Sequence, residues 1–278
     1  MKYQSFTAEN ITDFDPQQIF LCGQCFRWTE EEDGSFTGAA MGKIANIRYR
    51  KKEKELVVDC SSKEEFEQIW KPYLDLERDY GKIKEKLVQN DEVMKRAVAF
   101  GSGIRILKQD LWETILSFII SQNNNIPRIK GCIEKLSDLF GKEIGEYRGK
   151  VWHALPEPEI LASLSECDLE PVKLGYRAKY LISSAKTIKE QGLPENDEQL
   201  QSLCGIGPKV AGCVRLFGMG RYDAFPVDVW VARVMHRLYG LEEKDRSGIA
   251  RFAGEHFGEL SGFAQQYLFY YARENVKV

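Results

Sequence analysis

No apolar run in this sequence reaches membrane-spanning length. The first residues, MKYQSFTAEN, lack the apolar segment of a secretory signal. These absences predict a cytoplasmic protein with no membrane partner. A disulfide scaffold is missing as well. Seven cysteines, an odd number, are scattered along 278 residues and read as reduced thiols. Cys22 and Cys25 have C-x-x-C spacing, but no second cysteine or histidine pair of matching spacing exists, which argues against zinc. Positive charge is not in excess. The net charge is −3 and the pI about 5.8, which weighs against indiscriminate nucleic-acid binding and leaves a local basic patch open. What remains, 43% hydrophobic and 29% charged residues, is a globular composition with room for one large or two ordinary domains.

The chain is organised around residues 203–234, LCGIGPKVAGCVRLFGMGRYDAFPVDVWVARV. A helix ends, Gly205 and Gly207 flank Ile206 in a hairpin, and Pro208 opens a second helix where its missing N–H is harmless. Val210, Cys213, Val214 and Phe217 then recur at helical spacing. Such a helix start presents free N–H groups to a phosphate. Lys209 lies in the first turn, where the helix dipole favours the neutral, nucleophilic amine; the plainer reading is a solvated lysine on a turn. Valine at 210 and the preceding helix set aside a dinucleotide fingerprint. Asp228 follows Phe225-Pro226-Val227 and precedes Val229, Ala232, Val234, Met235 and Leu238, which places it as an N-cap. A capping carboxylate satisfies amides, and near Lys209 it could also accept a proton or steady a cation.

Residues 1–103 read as a sheet domain with flanking helices. Strands are predicted over 26–28, 35–38, 44–49 and 56–60, and helices over 64–74 and 83–100. Residues 104–278 read as helical. Asp110 caps a helix to Gln122, three asparagines make a turn before the helix that follows, and residues 142–170 carry little signal. Further helices open at Leu174-Gly175-Tyr176-Arg177, cover 195–203, and run from Gly262 to about Asn275. Gln265 and Phe269, four apart, share a face suited to bonding and stacking on an extruded base, and Lys209 shares a face with Cys213 in the same way. The fold class is therefore α+β, an N-terminal antiparallel sheet followed by a mostly helical region.

Leu203-Cys204-Gly205-Ile206-Gly207-Pro208-Lys209, followed by Pro226-Val227-Asp228, resembles the helix-hairpin-helix DNA glycosylase superfamily, the lysine marking its bifunctional branch. Four more segments narrow the resemblance to the 8-oxoguanine DNA glycosylase/lyases: Gly23-Gln24-Cys25-Phe26-Arg27-Trp28, Gln122-Asn123-Asn124-Asn125-Ile126-Pro127-Arg128-Ile129, Gly175-Tyr176-Arg177, and Gly262-Phe263-Ala264-Gln265 with Phe269. The resemblance implies that Lys209 attacks C1′ and forms a Schiff base, that Asp228 steadies the oxocarbenium-like charge, and that β-elimination nicks the strand. It implies that the Gly23 carbonyl accepts a hydrogen bond from N7–H of 8-oxoguanine; normal guanine would set two acceptors against each other. Cys213 and Phe269 would enclose the base and Gln265 would read its edge. Asn123 would fill the gap, Tyr176 would wedge the stack, and Arg128 and Arg177 would contact the orphaned cytosine. Amides around Gly205 and Gly207 would grip phosphates, and the carbonyls of Gln201, Leu203 and Ile206 would hold a cation. The resemblance implies no cofactor for the chemistry, duplex DNA containing 8-oxoguanine as the partner, and a monomer. Cys204 stands where the family's hairpin has proline, and Trp230 where eukaryotic members have histidine. The C-terminus lacks the four-cysteine cluster of the iron–sulfur relatives. Three alternatives stay open, a monofunctional alkylated-base glycosylase, which needs the aspartate but not the lysine, a non-catalytic helix-hairpin-helix DNA-binding module, and a plain α+β binding protein with no DNA role.

Overall fold

In the computed structural model, which describes residues 3–275, five antiparallel strands form one sheet in the order β1-β5-β4-β3-β2. They are β1 (Gln4–Ala8), β2 (Trp28–Glu30), β3 (Phe36–Ala40), β4 (Lys43–Arg50) and β5 (Glu55–Cys60). Met41 and Gly42, both at positive φ, make the two-residue turn between β3 and β4 that suits the twist of a hairpin. The register sets Phe36 opposite Ile47 and Ile47 opposite Val58, so one face carries a continuous apolar row. Phe20, Trp28, Trp70 and Tyr73 pack on that row, and the Trp28 indole donates to the Tyr73 hydroxyl at 2.8 Å. β1 lies outside the predicted strands. Its sequence, QSFTA, has one large apolar residue, and pairing with β5 is what makes it a strand.

The predicted helix over 64–74 is Lys63–Glu65, a π turn over Phe66–Trp70, and Lys71–Tyr73. The wider turn absorbs Pro72, which cannot donate and whose ring crowds the carbonyl four residues back. The stretch 83–100 is two helices, Tyr80–Leu87 and Glu92–Phe100. Asn90, at φ +58°, breaks the first, and Asp91 starts the second by accepting from Met94 N at 2.8 Å. The division between cores does not fall at residue 103. Tyr80, Met94 and Ala97 pack with the helical body, whereas Leu107 packs under the sheet.

That body contains the helices Leu111–Ser121, Ile126–Phe140, Arg177–Gln191, Asp197–Ser202, Pro208–Phe217, Val229–Tyr239, Arg246–Phe257 and Ser261–Asn275. Part of the stretch that the sequence left blank is a hairpin of β6 (Glu143–Tyr147) and β7 (Lys150–His153). Trp152 anchors it against Ala39 and Ile44 of the sheet. The two halves of the chain are thus joined along a broad seam, and the site lies on it.

Candidate active site

Gly207 is the N-cap of Pro208–Phe217 and brings no side chain to the first-turn amides, which open onto the hairpin. Lys209 sits half-buried in that turn, its Nζ 5.3 Å from the centre of the Phe118 ring. Asp228 caps Val229–Tyr239, with Oδ1 accepting from Val231 N at 2.7 Å. The cap fixes the carboxylate and leaves its second oxygen for other work. Gly212 brings the two helix starts together. A Cβ there would lie 3.2 Å from Pro226 Cα, closer than side chains normally approach a backbone. Lys209 and Asp228 both line an inner cavity of about 160 Å³ and an outer cleft of about 920 Å³.

The inner cavity is also lined by Gly23, Cys213, Gln265, Gln266 and Phe269, so residues from both halves of the chain converge there. Gly23 has φ +84°, and a Cβ on it would lie 3.5 Å from Phe269 Cε1, so its backbone faces that ring. The Gly23 loop is pinned from two sides. The Gln24 amide donates to Ile19 O and Arg105 O at 2.9 and 2.8 Å and accepts from Leu107 N at 2.9 Å. Arg273 donates to Leu21 O at 2.8 Å, which ties the loop to the helix carrying Phe269. Burial pushes the Cys213 thiol up; Lys209 opposes the shift and Asp228 adds to it, so the three groups share one local field. Gln265 is buried, and its side-chain oxygen has no hydrogen-bond partner. A buried acceptor left unpaired costs about 1–3 kcal/mol. Cys22 and Cys25 are core thiols, Cys22 pushed up to about 11 by burial.

Asn123, Tyr176, Gly207, Trp230 and Arg246 line the outer cleft. Asn123 is exposed at φ +46°, and Asn125 caps the next helix by accepting from Arg128 N at 3.0 Å. Tyr176 is 49% exposed. Arg128 is exposed and donates to Lys173 O at 3.2 Å, on the loop that leads to Tyr176. Arg177 departs from expectation. It is 4% exposed and donates to Gln122 O at 2.8 Å, Asn123 O at 2.8 Å and Leu174 O at 3.1 Å. With Nε, Nη1 and Nη2 each donating to a backbone carbonyl, the guanidinium fixes the asparagine loop from beneath. The Tyr176 ring rests on it, 4.6 Å from centroid to Cζ.

Gly205 has φ +83°, and a Cβ there would meet the Tyr180 ring at 2.5 Å, so the hairpin lies flat on Arg177–Gln191. The Ser184 hydroxyl from that helix donates to Cys204 O at 3.0 Å and holds the turn that a proline would otherwise stiffen. Leu203 O accepts from Ile206 N at 3.1 Å, which leaves it one lone pair for any cation. Several lining residues lay outside the sequence reading, Arg246 and Gln266 among them. Arg246 begins a helix capped by Asp245, and Asp245-Arg246-Ser247-Gly248 was the available signal. Gln266, three residues before Phe269, falls under the same helical spacing rule as Gln265, but the sequence reading passed over it.

Residues 7–115 match the family model described as the N-terminal domain of 8-oxoguanine DNA glycosylase, and residues 116–258 match HhH-GPD superfamily base excision DNA repair proteins. An N-glycosylase/DNA lyase of Saccharomyces cerevisiae is 30% identical over 84% of this chain and 70% of its own. A probable N-glycosylase/DNA lyase of Methanothermobacter thermautotrophicus is 32% identical over 62% of this chain and 64% of its own, just under two thirds of that relative's length. Among solved structures, the Clostridium acetobutylicum 8-oxoguanine glycosylase/lyase, in complex with dsDNA containing cytosine opposite to 8-oxoG, superposes with a TM-score of 0.92. It is 44% identical, with 99% of this chain and 97% of that one covered.

Proposed function

The chain belongs to the 8-oxoguanine DNA glycosylases of the helix-hairpin-helix base-excision-repair superfamily, and from that premise we propose that it excises 8-oxoguanine from duplex DNA by lysine attack and then nicks the strand. One observation carries the reading. Lys209 and Asp228, each at a helix start, line the same cavity as Gly23, Cys213, Gln265 and Phe269.

DNA lies along the outer cleft. Tyr176 enters the stack, Asn123 fills the space behind the departing base, and the purine enters the inner cavity between Cys213 and Phe269. The Gly23 carbonyl takes N7–H, and Gln265 reads the Watson–Crick edge. As the free amine, Lys209 attacks C1′ while the bond from C1′ to the base breaks, and the departing base takes up a proton. Asp228, held by Val231 N, faces the positive charge that develops on the sugar and receives the proton shed by the attacking nitrogen. The sugar ring then opens to a Schiff base, whose electron sink permits β-elimination of the 3′ phosphate. Arg128 at the rim favours cytosine as the opposite base, in keeping with the cytosine in the Clostridium complex. Amides at Gly205 and Gly207 face a phosphate. The carbonyls of Gln201, Leu203 and Ile206 are hard donors that suit a structural alkali or divalent cation, and the chemistry itself needs no cofactor.

Borohydride added to the protein on a duplex with 8-oxoguanine opposite cytosine should trap a covalent adduct, and Lys209→Gln should abolish it. An undiminished adduct in Lys209→Gln would remove the assigned nucleophile. Full excision by that variant would favour a monofunctional mechanism.

A further inference from the structure

The inner cavity holds a second glutamine. Gln266 is 2% exposed, lines the cavity beside Gly23, Gln265 and Phe269, and its side-chain oxygen is buried without a hydrogen-bond partner. Gln265, at 7% exposure, has the same orphaned oxygen. Successive helical residues lie about 100° apart around the axis, and Phe269 falls between the two glutamines in azimuth, one turn further on. Gln265, Phe269 and Gln266 therefore line one cavity from neighbouring azimuths of the same helix. Buried polar groups are ordinarily paired, and two neighbours left unpaired over the same cavity point to a ligand edge with two donors.

We propose that Gln266 is a specificity-determining residue that accepts a hydrogen bond from the 2-amino group of the extruded base, while Gln265 takes the adjacent N1–H. The proposal rests on the base-excision reading above. Guanine-derived bases offer N1–H and a 2-amino group side by side. Hypoxanthine-derived bases keep N1–H and lack the amino group, and adenine-derived bases lack both. The Gly23 carbonyl cannot tell these apart, because 8-oxoadenine and 8-oxohypoxanthine also carry N7–H. Gly23 thus tests for oxidation, and Gln266 tests for guanine parentage at the opposite edge. A site built around an acceptor rejects the analogue that lacks the donor far more strongly than a pocket rejects a missing methylene.

Single-turnover excision of 8-oxoguanine, 8-oxohypoxanthine and 8-oxoadenine, each opposite cytosine, tests this. The unaltered protein should remove 8-oxoguanine at least about tenfold faster than 8-oxohypoxanthine. Gln266→Leu should slow 8-oxoguanine about tenfold, leave 8-oxohypoxanthine within about twofold, and close the gap between them. Its melting temperature should hold or rise, because a buried unpaired oxygen is removed. Gln266→Met, unbranched like glutamine, should lose the same selectivity and guards against a packing defect. An equal fall on both bases would make Gln266 a packing residue and overturn the proposal, as would no change on either. If the unaltered protein released no 8-oxoguanine, the parent reading would fall as well, so the two failures are told apart.

Discussion

The inner pocket takes most of its side chains from helices and one pinned loop, whereas the rim that would meet DNA takes its side chains from a loop and from the exposed starts of helices. Cys213, Gln265 and Gln266 are buried, and the Gly23 loop is tied down by Gln24 and Arg273. Asn123, Arg128 and Tyr176 are exposed, Asn123 in a left-handed conformation. Telling one purine from another needs donors and acceptors fixed in advance. Opening a duplex needs side chains that reach the stack first. The rim nevertheless owes its order to a buried group, because Arg177 holds the carbonyls of Gln122 and Asn123 from below and carries Tyr176 above. The difference teaches that the rim, though tied elsewhere through Asn124 and Arg128, stands on one buried point.

Removing that point should break the comparison hardest. Arg177→Ala leaves buried carbonyls without their charged donor and opens a hole under the asparagine loop, at a stability loss of about 3 kcal/mol measured by chemical denaturation. Lys209, Asp228, Gln265 and Phe269 keep their places, so the variant should act poorly on a paired lesion and much better on one already unpaired, where extrusion is easier. Equal losses on both substrates would mean that rim and pocket are one unit. Gly262→Ala strikes the pocket instead. A Cβ at Gly262 would lie 2.3 Å from Leu216 Cδ1 and 3.0 Å from Tyr222 O, so the helix bearing Gln265 and Phe269 must move off the lysine helix. The expected loss is about 2 kcal/mol, with excision falling alike on paired and unpaired lesions. Thermal unfolding and single-turnover rates check both parts, and a loss confined to paired lesions would reverse the assignment.

Lys209, Asp228, Gln265 and Phe269 were legible in the sequence, because they sit at positions that local rules mark: a glycine hairpin before Lys209, a cap at Asp228, and a four-residue spacing from Gln265 to Phe269. What was not legible depends on tertiary contact. Gln266 looks like any helical glutamine until the pocket is seen to span two helix faces. Arg177 looks like an exposed basic residue beside an exposed tyrosine, and nothing local says that three carbonyls from two segments surround it. β1 is too polar to declare itself and exists through β5. The division at residue 103 was placed after the flanking helix predicted over 83–100. The cores cross that line, since Phe26 packs with the helical body and Leu107 with the sheet.

The smallest change sharpens the comparison most finely. Asn123 holds φ +46°, which an asparagine tolerates at some strain and a glycine adopts freely. Asn123→Gly relieves that strain but loosens the unfolded chain, two effects of opposite sign and each about 1 kcal/mol or less, so the denaturation midpoint should barely move. The loop keeps its backbone tie to Arg177, and the pocket keeps every lining side chain. What goes is the amide that would fill the gap behind an extruded base. Excision should therefore slow by about tenfold on a paired lesion and hardly at all on an unpaired one. If the paired lesion is still removed at full rate, the asparagine serves only the turn it makes. The work of opening the duplex then falls to Tyr176, standing on the same buried arginine.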